Sequence, residues 1–306
     1  MTACLLCSNQ ELTLEISDAF DIEYGVKGRF SFRRCSGCKV LKLFPEPSLE
    51  LLKSYYPPEY HGFNVSERGL ISFLYRLVYF FKFREYVHLA GPKGKILDVG
   101  CADAPYFEKF RNKYPGVQLT GVEFKDEIAE KGRLKGRNIV TGTIHNFATV
   151  ERYDLIIMNN LIEHVLDPVK ELQAAYAKLK PGGYVFLETP NTDCWDYLLT
   201  GKNWGSLHVP RHVYLFSPAS INLLAKRAGF EVKKFSYLLS TDNWALSIQN
   251  SLQRTTLFKS KIKNGRVWYY KYLLLIFIPF CVVQLFFRKT GSFVVRLQKP
   301  ALIINE

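Results

Sequence analysis

Between residues 94 and 238 the chain alternates short, continuously apolar runs with longer segments whose apolar positions recur at helical spacing. The runs 95–100, 117–124, 138–143, 153–158, 184–188 and 231–238 predict strands, and 104–113, 126–135, 168–179 and 218–228 predict the helices between them. Asp167-Pro168 and Ser217-Pro218 are helix starts, each a capping side chain followed by proline at the first helical position. Pro181-Gly-Gly183 and Gly229 are the matching stops. This alternation predicts an α/β fold with a mainly parallel, doubly wound sheet. Ligands of such sheets lie at the carboxyl ends of the strands, where Asp98, Glu123, Thr143 and Asn159 fall.

The flanks read differently. Residues 1–45 carry Cys4-Leu-Leu-Cys7 and Cys35-Ser-Gly-Cys38 around a strand-rich middle. Two such pairs on two turns suit a closed tetrahedral thiolate site, so a structural zinc held by Cys4, Cys7, Cys35 and Cys38 is expected in a zinc-ribbon module. Residues 46–93 form a connector rich in Pro and Tyr, with Tyr55-Tyr-Pro-Pro-Glu-Tyr60, then an amphipathic helix over 69–89 that lies either on the core or on a membrane. The unit from 94 to 306 contains a hydrophobic insertion at about 240–290. Within it, 267–287 is mostly apolar with basic residues on both sides. Lys271, Pro279 and Gln284 interrupt it, leaving no uninterrupted stretch near the ~20 residues of a spanning helix. A last strand over 292–299 must rejoin the sheet, and a single crossing would leave it on the wrong side. A monotopic or re-entrant element touching anionic lipid is therefore expected, with a dimer interface as the alternative.

With 306 residues, 48% of them hydrophobic, the chain is long enough for one substantial core plus appendages. The net charge of +13 admits nucleic acid, an anionic membrane surface or a phosphorylated substrate as partner. Much of that charge flanks apolar segments, which disfavours nucleic acid. The opening Met-Thr-Ala-Cys lacks a charged leader and a cleavage site, so a cytoplasmic body at the inner face of the membrane is expected. Seven cysteines, an odd number, fit thiolates on a metal in a reducing compartment better than disulfides.

The chemistry is concentrated in Lys95-Ile-Leu-Asp-Val-Gly-Cys-Ala-Asp-Ala104 and in Gly121-Val-Glu123 at the next strand end. Gly-rich turns of this kind also serve nicotinamide and flavin dinucleotides, but those present bare N–H groups to a pyrophosphate. Here Asp98 and Asp103 flank Gly100, and two anions at ~4 Å repel by about 4 kcal/mol at an effective dielectric of 20. A cofactor carrying a sulfonium and an ammonium suits the turn better, with Glu123 taking the ribose hydroxyls. S-adenosylmethionine is such a cofactor, and an ordinary Rossmann-like turn with some other ligand is the alternative on this segment alone.

Ile96-Leu-Asp-Val-Gly-Cys-Ala, Thr120-Gly-Val-Glu123, Tyr153-Asp-Leu-Ile-Ile-Met-Asn-Asn160, Leu179-Lys-Pro-Gly-Gly183 and Ala228-Gly-Phe-Glu-Val232 together resemble the class I S-adenosylmethionine-dependent methyltransferases, whose sheet is Rossmann-like. The resemblance implies that Asp98, Gly100 and Ala102 meet the amino-acid end of the cofactor and that Glu123 holds its ribose. It places Thr143 and Ile144 near the adenine, and Asn159 and Asn160 beside the methyl-donor pocket. The four-cysteine module, the connector, Glu163-His164-Val-Leu-Asp-Pro168 and Pro210-Arg-His-Val-Tyr-Leu-Phe-Ser217 are further similar to zinc-ribbon methyltransferases of bacterial sugar and polysaccharide biosynthesis. In the members that C-methylate nucleotide-linked deoxysugars, histidines at the positions of His164 and His212 serve the active site.

Histidine, with a pKa near ~6.5, is a suitable base for a hydroxyl acceptor. The expected catalytic residues are His164 and His212. Arg211 is expected to hold a phosphate of the acceptor, and Tyr60 and Trp204 to wall it, with His208, Tyr214 and Phe216 nearby. The expected acceptor is a sugar nucleotide or lipid-linked saccharide. A lipid-soluble acceptor such as a quinone precursor is the first alternative and nucleic acid the second, although Asn159-Asn160-Leu-Ile lacks the Asn-Pro-Pro-aromatic motif of many base-modifying enzymes.

Overall fold

The computed structural model describes residues 3–57, 70–255 and 259–301, with backbone alone over 70–78. The N-terminal part contains β1 (Leu12–Ala19), β2 (Phe30–Cys35) and β3 (Leu41–Phe44), an antiparallel meander, followed by the short α1 (Leu49–Ser54) and the long α2 (Leu70–Ala90). The described part of α2 packs on the sheet. Phe83 meets Phe110 edge-to-face with ring centroids 4.8 Å apart, and Tyr86 meets Phe186 at 4.9 Å. Burying aromatic side chains of this size contributes ~1.5–3 kcal/mol each, enough to hold the helix on the core.

The main unit runs β4 (Lys95–Val99), α3 (Phe107–Lys113), β5 (Gln118–Glu123), α4 (Asp126–Arg133), β6 (Ile139–Thr141), β7 (Tyr153–Asn159), α5 (Pro168–Lys178), β8 (Leu179–Pro190), α6 (Trp195–Thr200), β9 (Tyr214–Leu215), α7 (Pro218–Arg227), β10 (Glu231–Tyr237), α8 (Thr241–Gln253), α9 (Tyr270–Ile276), α10 (Ile278–Phe287) and β11 (Ser292–Gln298). Both predicted starts are realised. Asp167 Oδ1 accepts from the N–H groups of Val169 and Lys170 at 3.1 and 3.0 Å, and Ser217 forms a reciprocal cap with Ser220. The stop after α5 comes earlier than Pro181-Gly-Gly183 predicts, because Leu179 already pairs with Tyr153.

Seven strands form one sheet in the order β10-β11-β8-β7-β4-β5-β6, with β11 antiparallel to both neighbours and the rest of its pairings parallel. The chain order reverses between β4 and β7, and the carboxyl ends of those two strands carry Gly100 and Asn159. Ladders on both edges and helices on both faces explain why β4 and β7 are almost wholly buried apolar runs. The second sheet is β1-β2-β3-β9, so residues 214–215 complete the N-terminal meander, and a continuous core joins Phe32 and Leu43 to Val213 and Leu215.

The apolar stretch over 267–287 is two helices, α9 and α10, which bend by 50° where they meet. Pro279 sits in the first turn of α10, where its missing N–H cannot continue the ladder of α9. Among the described residues no single helix is long and apolar enough to cross a membrane. The strand after the insertion lies between β8 and β10, as the topological argument requires.

Candidate active site

The turn after β4 is built by backbone conformation and by one carboxylate. Gly100 has φ +73°, and a Cβ placed on it would come within 3.1 Å of Leu161 Cδ1. Ala102 and Ala104 also lie in the left-handed region, at φ +50° and +49°. That conformation costs an L-residue roughly 1–2 kcal/mol, and glycines would carry it freely. The turn is held against β5 by the Gly100 N–H to Val122 O at 2.8 Å. Glu123 clamps it from beneath: Oε2 accepts from the Ala102 N–H and Oε1 from the Lys125 N–H, both at 3.0 Å.

Asp98 is buried, and its Oδ2 accepts from Tyr106 Oη at 2.6 Å. Burial pushes its pKa up to about 7; the Tyr106 hydrogen bond works against this and the nearby Glu123 adds to it. Burial also raises Glu123. Among the described residues neither carboxylate has an ion-pair partner, so a cationic ligand beside them would favour their charged forms. Asp103 does not share that role. It is paired with Arg137 and Lys135, each at 3.0 Å, so the case against a phosphate rests on Asp98 and Glu123.

At the end of β7, Asn159 Nδ2 donates to Tyr86 Oη at 3.2 Å while its Oδ1 is buried without a partner. An orphaned acceptor beside Asp98's strand fits a ligand ammonium or amide. Asn160 takes φ +48° and donates its N–H to Glu188 O at 2.9 Å. The side chain of Ile144 is fully in the core, and Thr143 directs both its N–H and its hydroxyl to Asn146 Oδ1. Asp98, Glu123 and Asn159 thus fit S-adenosylmethionine.

Beyond Asn160 the turn Ile162–His164 and the loop before β9 bring three groups together. One ligand atom each from Glu163, His164 and His212 lies within 4.8 Å of the others, a spacing that could hold a metal ion. The two imidazoles meet edge-to-face with centroids 4.5 Å apart. His212 Nδ1 lies 2.7 Å from Ser206 O, and His164 Nδ1 lies 3.1 Å from Arg211 O and 2.7 Å from Tyr56 Oη. A carbonyl only accepts, so both rings are assigned as Nδ1–H tautomers with Nε2 unprotonated. Burial lowers His164 to about 3 and places His212 well below the ordinary value, keeping both neutral. Glu163 accepts from Thr189 Oγ1 at 3.0 Å, its other oxygen has no partner, and burial pushes it up to about 8.

Three expectations are corrected. Arg211 cannot hold an acceptor phosphate: it is fully buried, and its guanidinium grips Asp21 at two points, 2.8 and 3.1 Å. Trp204 is a core residue whose Nε1 donates to Asp196 Oδ2 at 3.1 Å, and Tyr214 and Phe216 are buried with it. His208 is paired with Glu23 at 2.7 Å, and the small cavity it lines is walled by Asp21, Glu23 and Arg254, apart from His164 and Asn159. Tyr60 lies outside the described residues. Glu163 and Tyr56 join the cluster although their surroundings in sequence point only to their neighbours: Glu163 stands next to His164, and Tyr56 stands in the same Tyr-Pro run as Tyr60.

The four cysteines converge. Cys4 and Cys38 Sγ are 3.6 Å apart, Cys7 and Cys35 Sγ 3.4 Å, and all four lie within 4.8 Å. A tetrahedral zinc with Zn–S of ~2.3 Å needs sulfurs ~3.8 Å apart, so the set fits that ion.

Residues 75–234 match the methyltransferase domain family. The chain is 28% identical over 154 residues to a ubiquinone biosynthesis O-methyltransferase of Hydrogenovibrio crunogenus, covering 45% of this chain and 63% of that protein. It is 27% identical over 175 residues to the protein of that name from Bordetella bronchiseptica, covering 52% and 72%. A mycolic acid cyclopropane synthase solved with SAH and CTAB shares the fold, with a TM-score of 0.51 and 16% identity over 73% of this chain and 85% of that one. With its sheet order and the matched span, the chain belongs to the methyltransferase domain family, of the class I, S-adenosylmethionine-dependent kind.

Proposed function

We propose that the protein transfers a methyl group to a hydroxyl oxygen of a small, lipid-soluble acceptor such as a quinone precursor. The observation that carries the reading is the pair of neutral histidines, His164 and His212, just past the end of β7, next to carboxylates suited to a cationic cofactor. S-adenosylmethionine, when bound, supplies a methyl carbon on a positively charged sulfur for in-line displacement. Asp98 and Asn159 would hold its amino-acid end, and Glu123 would take its ribose hydroxyls. An Nε2 of the histidine pair accepts the acceptor's hydroxyl proton as the new O–C bond forms, and Tyr56 and the Arg211 carbonyl hold His164 in the tautomer that can do so.

The O-methyltransferase names of the relatives favour this acceptor class. The sugar reading stands second. It keeps the support of the four-cysteine module and of Glu163-His164 with His212, but it loses the phosphate anchor that Arg211 was to provide. The cysteine cluster is proposed to hold a structural zinc that stiffens the first 40 residues.

The test is incubation with labelled S-adenosylmethionine and separate fractions of catechol-type quinone precursors, nucleotide sugars, lipid-linked saccharides and RNA. Label is expected in the quinone-precursor fraction. Label confined to either saccharide fraction or to RNA overturns the proposal.

A further inference from the structure

Among the described residues, the insertion between β10 and β11 leaves one apolar face uncovered. α10 is fixed to the body along a single stripe: Phe277 stacks on Trp244 at 5.1 Å, Phe280 packs on Trp195 and Trp244, and the buried Gln284 accepts from Trp244 Nε1 at 2.9 Å and donates to Asp196 Oδ1 at 3.1 Å. The opposite stripe is open. Phe286 is 91% exposed and Phe287 62%, with Ile276, Val282 and Val283 beside them. Trp195 touches Phe287, which brings the exposed Leu198 and Leu199 of α6 toward the same patch.

Charge specifies what covers it. Between Asp242 and Glu306 there are ten Lys and Arg residues and no Asp or Glu, so this stretch carries most of the +13 net charge. Lys271 in α9 and Arg288 at the end of α10 are exposed, as are Lys259, Lys261 and Lys263 in the chain that leads into these helices. A second copy of the chain would bring the same cations against themselves, and the two faces would repel. An apolar stripe rimmed by cations fits an anionic lipid headgroup layer over acyl chains.

Topology places this insertion on the same edge of the sheet as the active site. β10 runs parallel to β8, and β11 runs back between them, so the insertion leaves and re-enters the sheet at its carboxyl edge. That edge also carries Gly100, Asn159 and the turn with His164.

We propose that α10, with α9 and the end of α6, docks the protein on an anionic membrane surface without crossing it, and that the acceptor reaches the histidine pair from the lipid side. The second half of this statement rests on the proposed lipid-soluble acceptor; the first half does not.

The full chain is floated with phosphatidylcholine vesicles containing about 30% phosphatidylglycerol and with phosphatidylcholine alone. Flotation is expected with the anionic vesicles, at least tenfold less with neutral ones, and a loss on raising salt toward ~1 M. The double variant Phe286→Asp, Phe287→Asp is expected to stay at the bottom while keeping its melting temperature and its turnover of a water-soluble catechol. Vesicles are expected to raise turnover of a long-chain acceptor by the wild type and not by the variant. A wild-type chain that never floats, or a dimer that the double variant dissociates, overturns the docking. Vesicle binding that leaves long-chain turnover unchanged overturns only the route of acceptor entry, and absence of turnover on any phenol with intact flotation overturns the acceptor class alone.

Discussion

The imidazoles of His164 and His212 meet edge-to-face with centroids 4.5 Å apart, although 48 positions separate them in the chain. Each gives its Nδ1 to a backbone carbonyl, and both sit in surroundings that hold them uncharged. His212→Ala is expected to lower kcat by about 10²–10³ with cofactor affinity nearly unchanged, the size typical of losing a positioned base. Single-turnover rates and cofactor titration separate the two quantities; unchanged kcat removes His212 from the proton transfer. Tyr56→Phe is expected to have a smaller effect, because the Arg211 carbonyl still fixes the His164 tautomer.

Asp98→Asn is expected to act in the opposite sense, weakening S-adenosylmethionine by roughly tenfold or more through loss of a buried charge. Because Asp98 is pushed up to about 7 in the free protein, cofactor affinity of the wild type is expected to rise as pH increases from 6 to 8, and this rise is expected to shrink in the variant. Isothermal titration at three pH values measures both.

Stability without ligand is expected to fall between about pH 6.5 and 8. Glu163 holds a proton in the folded state up to about 8 and Asp98 up to about 7, whereas both have lost theirs in the unfolded chain well below that. The native state then binds more protons than the unfolded one, and stability is lost as pH rises through the folded values. The histidines oppose this only below about 6.5, where unfolding lets them charge. Glu163→Gln is expected to flatten the decline seen in urea melts across that window; an unaltered slope shows that Glu163 is ionised throughout.

Arg211→Ala is expected to destabilise the fold by ~3–5 kcal/mol, since it leaves Asp21 buried without its counter-charge. Denaturation midpoints give the value. A variant of wild-type stability with a raised KM for a phosphorylated acceptor would restore the role that burial argues against.

Metal analysis of protein purified without chelator is expected to find about one zinc per chain held by the N-terminal cysteines. Cys35→Ser is expected to release it and to lower the melting temperature, with S-adenosylmethionine affinity retained. Full zinc occupancy in Cys35→Ser places the ion at Glu163, His164 and His212 instead.

The amino-acid sequence by itself determined the alternation of strands and helices, the caps at Asp167 and Ser217, the cofactor turn from Asp98 to Glu123 and the pairing of four cysteines. These are local or short-period signals, set by side-chain propensity, apolar spacing and turn chemistry, and the structure follows them to within a few residues except at β8. Short elements such as α6, α8 and β9 carried too weak a period to be read. What only the tertiary structure decided is the partner of each polar group. Arg211 and Trp204 have the composition of a binding wall, yet Asp21, 190 positions away, and Asp196 claim them. Glu163 and Tyr56 enter the site because a loop before β9 and a connector before α2 fold onto the end of β7. A charge or a ring serves a ligand only if no buried partner satisfies it first, and that depends on contacts across the chain that no local pattern records.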